Sequence, residues 1–344
     1  MTKNTAWRKL AQLALGIVAV AVLGQAVMAG IRPSTDASVG SVLQGFPIRP
    51  VVLVVTFPPG GGTDLLARRL AAKLERRFGQ PVVVENRAGA SGNIGAQVVA
   101  RAKPDGYTLL VANSSYAINP GVFSELGFSP LNDLTGVINV AYVPSVVVTA
   151  ADSNWQSLQQ ALQVPQQQTP DAAPTFASCG NGTPQHLAGE MLMQRSGVSW
   201  LHVPYRGCGP ALTGVRAGTV DMAIVTASSA MPLIEAGALR ALAVTSPQRS
   251  SLLPDVPAVA ELGFEGYELD QWHGLLAPAK TPKPIVARIN AMVTAVMREP
   301  ETQRDLKALG YETTASSPEA FQAIIENDIA RFGALTTKIG LKAD

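Results

Sequence analysis

Val51 to Leu74 reads VVLVVTFPPGGGTDLLARRLAAKL, an apolar strand that runs through a proline-glycine turn straight into a helix, with no charged side chain in the turn. Gly60, Gly61 and Gly62 let the main chain come close to a ligand, and Thr63 or Asp64 is expected to cap the helix that follows. The free N–H groups of that first turn, with the positive end of the helix dipole, favour a carboxylate or phosphate. A purely structural turn would use the same residues. Leu66, Leu70, Leu74 and Phe78 repeat at four-residue spacing on one face of a helix expected from about 64 to 78. Arg68, Lys73, Arg76 and Arg77 fall mostly elsewhere, and Arg76, Arg77 and Gly79 supply a cationic last turn and a glycine stop.

Working outward, Pro81-Val82-Val83-Val84 reads as a continuous apolar strand suited to burial on both faces. A second turn, Gly89-Ala90-Ser91-Gly92-Asn93-Ile94-Gly95, opens a short helix carrying Ile94, Val98 and Val99, which Pro104-Asp105-Gly106 closes. Tyr107 to Ala112 is the third strand. Short β-branched runs alternating with helical patterns predict an α/β fold with a largely parallel sheet, and the two turns then share the carboxyl ends of neighbouring strands, where open α/β sheets place ligands. Further on, Trp155 to Leu162 reads as a short helix, followed by a Gln/Pro-rich loop over Val164 to Pro174. The strand Thr175 to Ser178 leads into Cys179-Gly180-Asn181-Gly182-Thr183 and a helix around His186 to Arg195. Val203-Pro204-Tyr205-Arg206-Gly207 precedes another helix, and Val220 to Thr226 reads as a buried strand. Ile285, Ile289, Val293 and Val296 form one late helical stripe, and Phe321, Ile324, Ile325, Ile329 and Phe332 another that opens at Ser317-Pro318.

A 344-residue chain with 47% hydrophobic and 15% charged residues can bury a substantial core, and its length allows two lobes. A formal net charge of +2, without a basic stripe, argues against nucleic acid as a partner. Lys3, Arg8 and Lys9 precede an apolar run from Leu10 to Ala29, the layout of a signal peptide (1–29) followed by a flexible linker (30–46). Val27-Met28-Ala29 offers the cleavage signal, Ala26 competes with it, and an uncleaved anchor is the alternative reading. Cys179 and Cys208 are the two cysteines; export would carry them to an oxidising compartment, where one disulfide or two buried thiols would account for them.

Neither glycine turn ends in Gly-Lys-Ser/Thr or follows G-x-G-x-x-G, so nucleotide binding is not supported and no cofactor is expected. His186, His202 and His273 are scattered, in no metal-ligand spacing, and are expected to be structural; no metal site is predicted. There is no G-x-S-x-G elbow, and no catalytic carboxylate pair is visible near the turns. Gly, Ser, Thr and Asn at the strand-to-helix junctions favour binding over turnover, and no catalytic residue is assigned.

FPPGGGTDLLAR, VVVENRAGASGNIGA, KPDGYTLLVAN, CGNGTPQHLAGEML, HVPYRGCGPAL, LRALAVTSPQRSSLLPDVPAVAELG and WHGLLAPAKTPKPIV, in this order, resemble the Bug family, the TctC-like periplasmic receptors of tripartite tricarboxylate transporters. The resemblance implies a two-lobed periplasmic binding protein of type II-like architecture. Each lobe would be a mostly parallel sheet flanked by helices, with the ligand cleft between them. Lobe 1 would comprise 47–149 and 275–344, and lobe 2 150–274. It implies a monomeric, non-enzymatic receptor that closes on a small carboxylate and passes it to membrane transporter subunits. The first turn, with ordered waters, would hold the carboxylate without a dedicated arginine. Carried over residue by residue, the ligand set is Phe57, Pro59, Gly60, Gly61 and Thr63 with Asp64 bracing the loop; Asn113, Ser114 and Ser115; Ser178, Asn181, Gly182, Thr183 and His186; Tyr205, Arg206 and Gly207; and Thr226 and Ser228. Packing roles for Phe57 and Tyr205 and a bracing role for His186 are the alternatives. Cys179 and Cys208 depart together from the small residues frequent in the family, which implies a disulfide stapling two neighbouring pocket loops. A periplasmic sensory module shares the fold and pocket, and a periplasmic enzyme is the third reading.

Overall fold

An unbroken β-branched run is stable only where both faces are covered, and Val51, Leu53, Val54 and Val55 are at most 1% exposed. The computed structural model describes residues 45–163 and 173–342, so the signal peptide, most of the linker and most of the Gln/Pro-rich loop lie outside the described residues. Contacts divide the chain between Phe46 and Pro47, and the fold is that of the second unit. In chain order its elements are β1 (Val51–Val55), α1 (Gly62–Phe78), β2 (Val82–Asn86), a 3-10 turn (Ala90–Gly92), α2 (Asn93–Ala100), β3 (Thr108–Asn113), α3 (Ser115–Val122) and β4 (Leu134–Ala150). Then follow α4 (Leu158–Leu162), β5 (Thr175–Ser178), α5 (Pro184–Ser196), β6 (Leu201–Pro204), α6 (Cys208–Arg216), β7 (Met222–Thr226), α7 (Ala227–Glu235), β8 (Leu239–Val244) and a second 3-10 turn (Val259–Leu262). The chain closes with β9 (Asp270–Pro278), α8 (Lys283–Met297), α9 (Pro300–Ala308), β10 (Glu312–Thr313) and α10 (Pro318–Ile339).

Strand order among the described residues is β2-β1-β3-β9-β4-β7-β5-β6, with β8 and β10 also pairing β4. The parallel pairing expected from the sequence occurs in two triplets, β2-β1-β3 and β7-β5-β6. Between them, β4 and β9 run antiparallel to their neighbours. β4 is long enough to serve both sheets: Leu134 to Pro144 pair with β9, and Ser145 to Ala150 pair with β7 and β8. The change falls at Pro144, which has no N–H to continue the ladder. Ser145 N–H turns to the Thr245 hydroxyl at 3.0 Å, Thr245 N–H returns to Ser145 O at 2.9 Å, and the Thr245 hydroxyl donates to Leu269 O at 2.9 Å.

Leu66, Leu70 and Leu74 are fully buried under α1 and Gly79 adopts φ +63° to end it, as the pattern predicts. Burying each leucine contributes roughly 1.5–3 kcal/mol. Lys73, expected away from the apolar face, is instead 6% exposed, with its Nζ 3.0 Å from Asp305 and 3.3 Å from Glu301 of α9. A second expectation fails at β2: it is an edge strand, so Val83 is 44% exposed instead of covered on both faces. Ile94 and Val98 likewise face outward at 49% and 42%, leaving Ala96 and Val99 to anchor α2. α4 begins at Leu158, capped by Ser157, so Trp155 precedes the helix. Ser317 caps α10 by accepting the Ala320 N–H, and Phe321, Ile325 and Phe332 are buried beneath it.

Phe321 lies against Gly274 of β9, where an added Cβ would overlap its ring and sit 2.8 Å from Ile138 O. Gly274→Ala should therefore cost about 1–3 kcal/mol through overpacking. Urea denaturation checks this, and an unchanged midpoint would contradict the packing described.

Candidate functional site

β1 delivers the chain to Thr56, and the turn Phe57–Gly61 lifts it over the carboxyl end of the sheet into α1. Gly60 takes φ +80°, a conformation that favours glycine, and Gly61 is the N-cap without any side-chain cap bond. The expected capping by Thr63 or Asp64 is thus corrected: the helix starts at Gly62, placing both inside its first turn. Asp64 reaches backward instead. It accepts from Gly60 N–H, Arg68 Nε and Asn86 Nδ2, each at 2.9 Å, and Asn86 also holds Phe57 O at 3.0 Å. Burial pushes the Asp64 carboxyl up, but the hydrogen bonds from Arg68, Gly60 and Asn86, with the Arg68 charge, outweigh it and leave the pKa lowered. The carboxylate stays ionised and is held by the turn, while the first-turn N–H groups of α1 have no intrahelical partner. Gly62 has no room for a side chain: a Cβ would lie 2.7 Å from the Tyr311 hydroxyl and 2.9 Å from Ser228 Oγ.

The strand register builds the floor. β3 pairs β9 so that Asn113 stands opposite His273. Asn113 Nδ2 donates to Thr63 Oγ1 at 3.3 Å, and that hydroxyl lies 3.2 Å from His273 Nε2, itself 3.2 Å from Gln271 Nε2. Gln185 Nε2 of α5 then donates to Gln271 Oε1 and to Ser145 Oγ, both at 2.9 Å. The polar chain therefore runs from the first turn to the point where β4 changes partners. Burial lowers the His273 pKa to about 3, so its ring is neutral.

The opposite wall comes from the β5–α5 and β6–α6 connections. Tyr205 N–H to Ser178 O at 3.2 Å and Gly207 N–H to Cys179 O at 3.0 Å carry the pairing beyond the strands. Cys179 and Cys208 are thereby brought to a Cα separation of 4.3 Å and joined in a disulfide. Thr183 caps α5, accepting the His186 N–H at 3.3 Å and donating to Gly180 O at 2.7 Å. His186 Nδ1 accepts the Gly182 N–H at 3.3 Å, and its ring stacks on His202 at 3.7 Å. Ser178 Oγ is 2.7 Å from His202 Nε2, whose pKa is lowered to about 3 by burial and by His186.

These walls enclose a cavity of about 490 Å³. Phe57, Pro59, Gly60, Gly61, Thr63, Asn113, Arg206, Gly207, Thr226 and Ser228 line it, as do both half-cystines. A neighbouring cavity of about 540 Å³ shares Phe57, Arg206 and Gly207 and adds Asn181 and Tyr205. Ser115 borders a space of only about 10 Å³. Asp64, Ser114, Ser178, Gly182, Thr183 and His186 line none of these; they hold loops, Ser114 for example accepting Trp272 N–H at 2.9 Å. Leu65, Gln185, Leu212, Gln271 and His273 line the 490 Å³ cavity without having been singled out from sequence as ligand contacts. Among the described residues no cluster could hold a metal ion.

Two expectations follow. Unfolded histidine protonates near pH 6.5, whereas His202 and His273 stay neutral until about 3, so each withdraws stability as pH falls below about 6.5. Asp270 opposes this below pH 6: burial, then Glu312 and Glu268, raise it to about 6. NMR should show both imidazoles flat between pH 8 and 5, and a titration midpoint near 6.5 for either would refute its burial as neutral. Reducing the disulfide, whose cysteines are 29 residues apart, should lower unfolding free energy by about 3 kcal/mol; equal denaturation midpoints with and without reductant, with thiols shown to be free, would contradict it.

The profile of the tripartite tricarboxylate transporter family receptor, TctC, matches residues 66–341. Among solved structures, the periplasmic binding protein BugD is 34% identical at a TM-score of 0.80, covering 86% of this chain and 100% of its own. A Rhodopseudomonas palustris protein solved with adipate is 35% identical at 0.81, with 86% and 99% covered. MatC from the same organism, with bound malate, is 30% identical at 0.78, with 84% and 99% covered. The mixed α/β fold, with parallel triplets on either side of β4 and β9, is thus that of a two-lobed periplasmic binding protein. The family is one of receptors and not of enzymes, and the chain belongs to it: it is a member of the TctC family, the receptors of tripartite tricarboxylate transporters.

Proposed function

We propose that this protein is an extracytoplasmic receptor that closes two lobes on a small organic acid and hands it to the membrane subunits of a tripartite transporter. The observation that carries the reading is the α1 amino terminus. Gly61, Gly62 and Thr63, whose N–H groups have no intrahelical partner, line the 490 Å³ cavity, while Asp64 does not line it and its charge is compensated by its own donors. Adipate and malate in two similar structures support a carboxylate as the ligand class. The ligand set is the one lining the cavity from the first turn, Asn113, Arg206, Gly207, Thr226 and Ser228. Asp64, Thr183 and His186 act behind it as positioning residues.

In this reading the lobes are 47–149 with 275–344, and 150–274. The pivot lies where β4 changes partners at Pro144 and Ser145, a few residues from the first boundary. Closure is favoured only to the extent that the ligand binds the closed form better. The protein reaches its compartment through the 1–29 signal peptide and works as a monomer.

A Cβ at Gly61 meets only Pro58 O, at 3.6 Å, so a larger side chain there leaves the fold intact while occupying the anion seat. Gly61→Trp should lower affinity for a carboxylate ligand at least 100-fold with a wild-type circular dichroism spectrum. Calorimetry on both proteins checks this, and unchanged affinity would overturn the assignment.

A further inference from the structure

We infer that the preferred ligand is a monocarboxylate with a bulky apolar body, such as an aromatic or alicyclic acid, and not a di- or tricarboxylate. The inference rests on the carboxylate-receptor reading above and refines it. One line of support is charge. Arg206 is the one charged side chain among the described residues lining the 490 Å³ cavity, and it is exposed, where water and salt screen it. The neutral polar groups are already engaged with one another. Thr63, His273, Gln271 and Gln185 form one chain, and Thr226 lies 2.8 Å from Ser229 and 3.1 Å from Ser228. A second carboxylate laid on that floor would lose its hydration, meet no cation, and have to break those bonds. The α1 turn is then the seat of the anion in this reading, and the side chains of the floor offer no second one.

The other line is apolar surface. Leu65 sits in the first turn of α1, beside that seat, and remains 36% exposed although Leu66 and Leu70 are fully buried. Together with Pro59, Pro210, Leu212, Pro232 and the Cys179–Cys208 disulfide it gives the cavity a wall without charge. Leu65, Pro59, Pro210 and Pro232 are exposed while Leu212 and Cys179 back them, and exposed apolar residues gathered in a cleft mark a surface that a ligand covers. The volume lies within the range that encloses ring-bearing organic ligands. Adipate and malate, found in two similar structures, carry two carboxylates each, so this chain would differ from both relatives in what it selects.

Isothermal calorimetry on the disulfide-intact protein with benzoate, cyclohexanecarboxylate, adipate, malate, citrate and benzamide decides the matter. One of the two ring acids should bind at least tenfold more tightly than any di- or tricarboxylate. Leu65→Gln should weaken that ring acid about tenfold while leaving adipate within twofold. Tighter binding of adipate, malate or citrate would overturn the inference and leave the receptor reading standing. Benzamide binding as tightly as benzoate, or no acid binding at all, would overturn the carboxylate-receptor reading itself.

Discussion

Asp64 places a buried negative charge beneath the glycine turn, and the turn keeps its shape because that charge is fully used. Its two oxygens take three hydrogen bonds, from the backbone at Gly60, from Arg68 one helical turn later, and from Asn86 at the end of β2. Removing any donor would leave part of a buried carboxylate uncompensated. Because Asn86 also holds Phe57 O, the same node fixes both ends of the turn and ties it to the neighbouring strand. In the proposed receptor the first-turn amides of α1 are left for a ligand because Asp64 takes its hydrogen bonds from Gly60, Arg68 and Asn86.

The rest of the fold serves to bring a second wall within reach of that turn. A single strand, β4, belongs to both sheets and passes between them at Pro144, while β9 places Gln271 and His273 directly under Thr63. The hydrogen-bond chain from Asn113 to Ser145 therefore spans the cavity floor and ends at the residue where the ladder changes partner. Glycine at 274 lets α10 seat Phe321 against this crossing, so the deepest part of the core and the floor of the site share a strand.

What could be read from sequence was local. The β1 run, the glycine turn, the α1 stripe and its Gly79 stop are contiguous, and each residue's role follows from its neighbours. Cys179 and Cys208 could be paired because both depart together from the small residues frequent in the family, on two loops that the resemblance makes neighbours. The contributions of Gln185, Gln271, His273 and Tyr311 were not legible, since they depend on the antiparallel register of β9 and on a turn after α9, more than 200 residues from the glycine turn in three of the four cases. Apolar periodicity also does not reveal which strand is the edge, so Val83 of β2 reads like Val54 of β1 although one is exposed and the other is not. Lys73 escaped its pattern because its partners, Glu301 and Asp305, lie on a helix that sequence spacing does not place beside α1.

The Cys179–Cys208 bond joins connections that leave two adjacent parallel strands of one sheet, β5 and β6. Both of its cysteines belong to that one wall, and the α1 turn and β9 lie on other strands. Its constraint falls on the unfolded chain and on the internal shape of one wall, and it adds no tether across the opening. If the protein closes on its ligand as proposed, durability and motion are separated: the covalent link stiffens one wall of the cavity without restraining a swing of one half against the other.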